Sequence, residues 1–272
     1  MPTGSQDVEA VLTRLAATPG TAGLFSDFDG TLSPIVAEPD RASPVPGAGR
    51  VLRRLARRFA VVALVSGRPA EWLGARFRSE ATEGLELYGL HGLERWTPAG
   101  AEPVEAAGSW ASVVAGLVRQ AEDAQIPGLV VEDKVLGLTL HWRTAADPAR
   151  TESAALALAG RLGRESGMLT RAGKASVELV PPVGVDKGSV VRERGSGLAC
   201  AAYLGDDVSD LPAFDALDDL ARSGAETWRV AVSGAEAPAG VLERADLVLA
   251  SPEECLWFLR RLAEAAEAPA DR

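Results

Sequence analysis

Four short polar clusters in this sequence of 272 residues combine residue types that handle phosphate and a divalent cation. Asp27-Phe28-Asp29-Gly30-Thr31 sets two carboxylates two residues apart, directly after an apolar run. One acid can attack phosphorus while the other serves the leaving oxygen, and a cation between them relieves their repulsion. Gly30 lets the chain leave sharply. Ser66-Gly67-Arg68 offers a hydroxyl and turn amides that donate to phosphate oxygens. Asp186-Lys187-Gly188 places an ammonium at an expected helix start, where it offsets carboxylate and phosphate charge. Gly205-Asp206-Asp207-Val208-Ser209-Asp210 holds three acids in five residues, a hard oxygen site suited to Mg²⁺. Each cluster also has a plainer reading: a solvated acidic turn, a surface arginine, a solvated lysine, or helix capping by Ser209 or Asp210. Capping needs one acid, not three.

The surrounding pattern places these clusters at strand ends. Ala22 to Ser26, Ala60 to Val65, Leu85 to Gly89 and Ala199 to Leu204 read as buried strands, with further short strands at Arg229 to Val232 and Asp246 to Leu249. Helical spacing covers 8–18, Gly47 to Phe59, a segment from near Pro69, Gly188 to Arg194, Pro212 to Asp219 and Pro252 to Glu267. Strand–helix alternation predicts a doubly wound, Rossmann-like parallel sheet, whose ligand site forms at the carboxyl ends of the strands. Residues 96–108 read as a Pro- and Gly-rich linker. Beyond it the order changes to helix (Trp110 to Ala124), two strands (Leu129 to Glu132, Leu136 to Trp142), helix (Pro148 to Glu165) and two strands (Met168 to Arg171, Ser176 to Val180). That order predicts an inserted α+β domain over 106–182, within a core of 1–105 and 183–272.

Bulk properties narrow the partners. The net charge of −10 argues against nucleic acid and anionic membranes, so a small anionic ligand must be met by a metal or by placed cations. Met1 to Gly23 lacks a charged and then apolar leader, and no apolar run approaches a membrane span; a cytoplasmic protein is expected. The two cysteines, Cys200 and Cys255, are expected to be buried free thiols. No long apolar surface stripe stands out, which predicts a monomer. Lysine and histidine are scarce: Lys134, Lys174, Lys187, His91 and His141 are the whole complement.

In order and spacing the four clusters resemble the haloacid dehalogenase superfamily of phosphohydrolases. Seven segments are similar to the trehalose-6-phosphate phosphatase pattern: Leu24 to Val36, Val65 to Arg68, Tyr88 to Glu94, Val131 to Arg143, Val177 to Pro182, Val185 to Gly188 and Leu204 to Phe214. The resemblance implies hydrolysis of trehalose 6-phosphate to trehalose and phosphate through an aspartyl-phosphate. It implies Asp27 as nucleophile and Asp29 as proton donor and then base, with Ser66 and Lys187 orienting the phosphoryl group. It further implies Mg²⁺ held by Asp27, the backbone carbonyl of Asp29 and Asp206, with Asp207 and Asp210 in support. In the insert, it points to Glu132, Lys134 and Glu178 as sugar contacts, and to Arg68, His91, His141 and Arg143 near the same cleft. Leu211 stands where the family has Glu, and Trp142 where it commonly has Tyr. These departures keep open a phosphatase for another sugar phosphate or a trehalose-like pseudodisaccharide phosphate. A phosphosugar mutase fits less well, because the insert follows Ser66. A non-catalytic sugar-phosphate binder would be expected to lack one of Asp27, Asp29, Lys187 or Asp206, and all four are present.

Overall fold

The computed structural model describes residues 5–36, 38–77, 84–173, 175–234 and 238–267. Lys174 therefore lies outside the described residues. The chain opens with α1 (Ser5–Ala17), β1 (Ala22–Ser26), α2 (Ala48–Ala56), β2 (Val61–Val65), α3 (Ala70–Phe77) and β3 (Leu85–Gly89). There follow β4 (Glu94–Thr97), β5 (Gly100–Pro103), α4 (Glu105–Gly108), α5 (Ala111–Asp123), β6 (Val130–Asp133), β7 (Leu138–His141), α6 (Pro148–Ser166), β8 (Leu169–Gly173) and β9 (Ser176–Val180). The chain closes with α7 (Lys187–Gly195), β10 (Cys200–Gly205), α8 (Leu211–Arg222), β11 (Glu226–Val232), α9 (Ala239–Leu242), β12 (Leu247–Leu249) and α10 (Pro252–Glu267). It divides into two compact units, 1–101 with 185–272, and 102–184.

The first unit is built on a sheet ordered β12-β11-β10-β1-β2-β3-β4-β5. From β12 to β3 neighbouring strands run parallel, and β4 turns back antiparallel to β3. Alternate residues feed two separate cores. Leu24, Leu64 and Leu204 join the side chains of α1, α2, α3 and α10, while Phe25, Ala63 and Tyr203 join those of α7 and α8. Burial on both faces makes these strands read as unbroken apolar runs. Successive strands lead outward from β1 on one side and from β10 on the other. The two are paired in register Ser26↔Leu204, so their carboxyl ends form the switch point where open α/β sheets bind ligands.

The expected linker over 96–108 is corrected by the structure. Residues 94–97 and 100–103 form β4 and β5 at the edge of the sheet. The Pro and Gly that read as linker make the turn between these strands. There Gly100 has φ +126°, and the Thr97 hydroxyl accepts from the Ala99 amide and donates to the Gly100 carbonyl.

The second unit is an α+β layer. Its sheet runs β6-β7-β9-β8, all antiparallel. Leu138, Leu140, Val177 and Leu179 bury one face with Val114 and Leu117 of α5 and Leu158 and Leu162 of α6. By alternation along the strands, Glu132, Thr139, His141 and Glu178 share the opposite face. Among the described residues no helix is long and apolar enough to cross a membrane.

Candidate active site

Asp27 follows the last residue of β1, and its amide donates to the Leu204 carbonyl of β10 at 2.8 Å. Asp206 follows the last residue of β10, so the two acids emerge side by side from adjacent strands. Gly30 brings them together. It has φ +81°, and a Cβ there would collide with the Asp206 carboxylate. The loop beyond closes tightly, because the Phe28 carbonyl accepts from the amides of Leu32 and Ser33, both at 2.9 Å. Thr31 then donates its hydroxyl to Asp206 Oδ1 at 3.1 Å.

Lys187 starts α7 with its side chain only 1 % exposed. Asp186 caps that helix by accepting from the Ser189 amide. Gly188 packs so closely on α8 that a Cβ would strike the Pro212 carbonyl. The Lys187 ammonium bridges Asp27 Oδ1 at 3.0 Å and Asp210 Oδ1 at 2.6 Å. Asp210 is saturated: the Tyr203 hydroxyl also donates to Oδ1 at 2.7 Å, and the amides of Asp206 and Asp207 donate to Oδ2 at 2.9 and 3.0 Å. The capping alternative is thus correct in part, with Asp207 and Asp210 capping one another around the turn 208–210. Asp210 is the organiser of the cluster, which leaves Asp27 and Asp206 with oxygens to offer a ligand.

The charge balance identifies what fits there. Carboxylate oxygens of Asp27, Asp206 and Asp210 lie within 4.8 Å of one another, and all three residues are buried. Burial, followed by repulsion from Asp210, pushes the Asp206 carboxyl up to about 7. Burial raises Asp27 as well, against the pull of Lys187. Lys187 is itself raised: burial pulls it down, and Asp210 and Asp27 more than compensate. One ammonium among three buried acids leaves a deficit of positive charge, and the oxygen donors match a hard divalent cation.

The loop Ser66-Gly67-Arg68 lies at the end of β2. Ser66 is buried, and its Oγ accepts from the Arg68 amide at 3.1 Å, which directs its O–H elsewhere. The His91 amide donates to the Ser66 carbonyl at 2.8 Å, and a Cβ on Gly67 would lie 3.0 Å from the His91 ring. Leu90 and His91 reach this position with φ of +51° and +59°, a conformation that costs energy for non-glycine residues. Arg68 grips Asp29 through Nε at 2.7 Å and Nη2 at 2.8 Å.

The remaining expected residues gather in the second unit. Lys134 Nζ pairs with Glu178 Oε1 at 2.9 Å, and His141 Nε2 lies 2.8 Å from Glu132 Oε2. Arg143 is exposed just after β7. The first unit therefore brings together Asp27, Asp29, Ser66, Arg68, His91, Lys187 and Asp206, and the second Glu132, Lys134, His141, Arg143 and Glu178.

Three polar side chains were given no role of their own in the sequence analysis. Thr31 and Tyr203 hold Asp206 and Asp210; a tyrosine within an otherwise aliphatic strand was the available signal for the latter. Thr139 is buried between Glu132 and Glu178 in the sheet register, and its hydroxyl finds no partner among the described residues. Its signal was polarity in the run Leu-Thr-Leu.

Comparison with known proteins gives a consistent picture. A family model described as trehalose-phosphatase matches residues 25–242. The trehalose-phosphate phosphatase of Mycolicibacterium paratuberculosis (strain ATCC BAA-968 / K-10) is 39% identical over 220 residues, spanning 74% of this chain and 54% of that protein. The one from Mycobacterium avium (strain 104) is 37% identical over 219 residues, again 74% and 54%. The chain thus spans about half the length of the curated relatives it matches. Among solved structures, the C. albicans trehalose-6-phosphate phosphatase C-terminal domain superposes with TM-score 0.73 at 23% identity, covering 97% of this chain and 99% of that one. The C-terminal domain of a Candida albicans trehalose synthase regulatory protein superposes at 0.63 with 14% identity, covering 93% and 97%. At those identities the superpositions establish the fold alone.

Proposed function

This chain belongs to the trehalose-phosphatase family, and we propose that it hydrolyses trehalose 6-phosphate to trehalose and phosphate through an aspartyl-phosphate on Asp27. The observation that carries the reading is the Lys187 bridge, which holds a buried carboxylate at the carboxyl end of β1 beside a second buried acid, Asp206. An ion-paired carboxylate at a strand tip is oriented to attack, and the paired cation offsets the charge of the incoming phosphate.

In the first step an Asp27 oxygen attacks phosphorus, and Asp29 gives a proton to the departing sugar oxygen. In the second step Asp29 takes a proton from water as that water displaces Asp27 from phosphorus. Ser66 donates to a phosphoryl oxygen, and Lys187 neutralises the phosphoryl group throughout. Asp27, Asp206 and the Asp29 backbone carbonyl would hold Mg²⁺, which supplies positive charge for the phosphoryl oxygens. The second unit serves as the cap that selects substrate. Glu132, Lys134, His141 and Glu178 offer acceptors and donors to sugar hydroxyls, with Arg143 nearby, while Arg68 belongs to the phosphate loop and His91 borders it. The cysteines play no part: burial pushes the Cys200 thiol up to about 11 and raises Cys255 further. The partner is a small sugar phosphate rather than nucleic acid or membrane, and the protein acts as a cytoplasmic monomer.

The test is phosphate release from trehalose 6-phosphate, glucose 6-phosphate and sucrose 6-phosphate, with Mg²⁺ and with chelator. Release from trehalose 6-phosphate that chelator abolishes is the expected result. Metal-dependent release from the others alone would keep Asp27 and its partners and reject the assignment of Glu132, Lys134 and Glu178. No release from any substrate would reject the enzyme.

A further inference from the structure

We infer that Arg68 is a positioning residue for the second, hydrolytic half of the reaction: its fork fixes Asp29 in the orientation that takes the proton of the attacking water, and Trp72 fixes Arg68. The inference rests on the proton-transfer role proposed above for Asp29.

The other carboxylates of the site are fixed by Lys187, Tyr203, Thr31 and backbone amides. For Asp29, among the described residues, the same task falls to one side chain. Arg68 Nε meets Oδ2 at 2.7 Å and Nη2 meets Oδ1 at 2.8 Å. Two parallel bonds set the plane of a carboxylate, whereas one would leave it free to turn. Both donors are spent on Asp29, so this face of the guanidinium is committed to the acid rather than to a phosphate.

The guanidinium is itself anchored. It lies over the Trp72 ring, 4.6 Å from the centroid, with the Arg68 side chain 17 % exposed. The same ring carries Arg76 at 4.0 Å, and Arg76 donates to the carbonyls of Asp40 at 2.7 Å and Ala42 at 3.3 Å. Trp72 also meets the edge of Phe28, centroid to centroid 5.5 Å, and Phe28 sits between Asp27 and Asp29 in the chain. The path Asp29–Arg68–Trp72–Phe28 therefore closes on the nucleophile's own loop. An arginine stacked on an aromatic face loses less freedom when it forms its fork.

The chemistry separates the two half-reactions. In the first, the Asp27 oxygen bonds to phosphorus while the ester P–O bond breaks, and its electron pair leaves on the departing oxygen. A p-nitrophenolate leaving group needs no proton there. In the second, the water oxygen bonds to phosphorus and the P–O bond to Asp27 breaks. That electron pair returns to Asp27, and the water proton passes to Asp29. With p-nitrophenyl phosphate as probe, the orientation of Asp29 matters only in the second.

Rapid-quench kinetics with Mg²⁺ and p-nitrophenyl phosphate tests this through the formation and decay of acid-stable phosphoenzyme. In Arg68→Ala, phosphoenzyme decay is expected to slow about 10²-fold, the scale of a misplaced proton acceptor. Its formation is expected to stay within about threefold, so the intermediate accumulates and kcat falls together with KM. Arg68→Lys, which keeps the charge and the packing but cannot fork, is expected to decay as slowly as the alanine variant. Free guanidinium ion at sub-denaturing concentration is expected to restore part of the decay rate in Arg68→Ala. Decay at the wild-type rate would overturn the inference, as would an equal fall in formation and decay, the signature of a distorted site. A wild type that forms no phosphoenzyme would instead reject the proposed function.

Discussion

The two units use polar side-chain pairs at opposite ends of the burial scale. In the first, Lys187 and its partners Asp27 and Asp210 have side chains 1 %, 8 % and 0 % exposed. In the second, His141 and Glu132 are 34 % and 41 % exposed. Attraction between charges rises steeply as water leaves, and so does the cost of leaving one of them alone. The first arrangement is held rigidly and tolerates no loss of a member. The second could exchange a protein partner for a ligand hydroxyl at little cost, as the proposed sugar recognition requires. On the proposed function, chemistry and selectivity would fall in different dielectric environments, and substitutions would pull the two apart.

The largest separation comes from Asp27→Asn. It keeps the shape and removes the attacking oxygen, so activity is expected to fall on the order of 10⁶-fold, as when an enzyme nucleophile is deleted. Titration calorimetry with trehalose 6-phosphate should still detect binding. A variant retaining a tenth of the activity would remove Asp27 from the nucleophile role. Next is Lys187→Met, of similar length and without charge. Asp27 and Asp210 would be left buried and repelling, and denaturant unfolding should show a loss of about 3–5 kcal/mol, the cost of breaking a buried pair from one side. A change below about 1 kcal/mol would mean that water enters the site and that the contrast between the units is weaker than the burial implies.

Lys134 and Glu178 lie between the extremes, at 13 % and 14 % exposed. A charged hydrogen bond to a sugar is worth about 1.5–3 kcal/mol. Glu178→Gln should therefore lower kcat/KM for trehalose 6-phosphate, relative to p-nitrophenyl phosphate, by about ten- to a hundredfold. Equal losses on both substrates would mean that the second unit acts on the chemistry and not only on selection.

Titration offers a further test. In the metal-free protein the Asp206 carboxyl is raised from 3.8 to about 7. A carboxyl raised by folding contributes stability that is complete below its unfolded value and is lost as pH rises through its folded value. In chelator, the melting temperature should fall as pH climbs from about 4 through 7. A divalent cation that pairs with the ionised acids should reverse this, so Mg²⁺ is expected to raise the melting temperature more at pH 8 than at pH 5. An equal gain at both values would place the ion away from Asp206.

The same contrast explains what the sequence disclosed. Strand and helix order in the first unit was legible because burial on both sheet faces writes unbroken apolar runs into β1, β2 and β10. Convergence of Asp27 with Asp206 was legible because both follow such runs. The saturation of Asp210 was not, since it depends on Tyr203 and on amides whose direction only the turn 208–210 fixes. The Arg68 fork on Asp29 was hidden for the same reason: 39 residues separate the partners, and a surface arginine after a turn looks identical in sequence. The expected linker over 96–108 misled because the Pro and Gly of a hairpin tip and of a linker are alike in composition.

The smallest expected effect lies at the exposed end of the scale. His141 and Glu132 meet at 2.8 Å where water still reaches both. Pairs of this kind contribute about 0.2–1 kcal/mol. Glu132→Gln keeps a hydrogen-bond acceptor and loses only the charge, so denaturant unfolding should change by no more than that amount, and added salt should shrink the difference. A loss approaching that of Lys187→Met would show that this pair is desolvated. The part of the sheet face bearing Glu132 and His141 would then be a packed surface rather than an open one, and the assignment of sugar recognition to it would have to be abandoned.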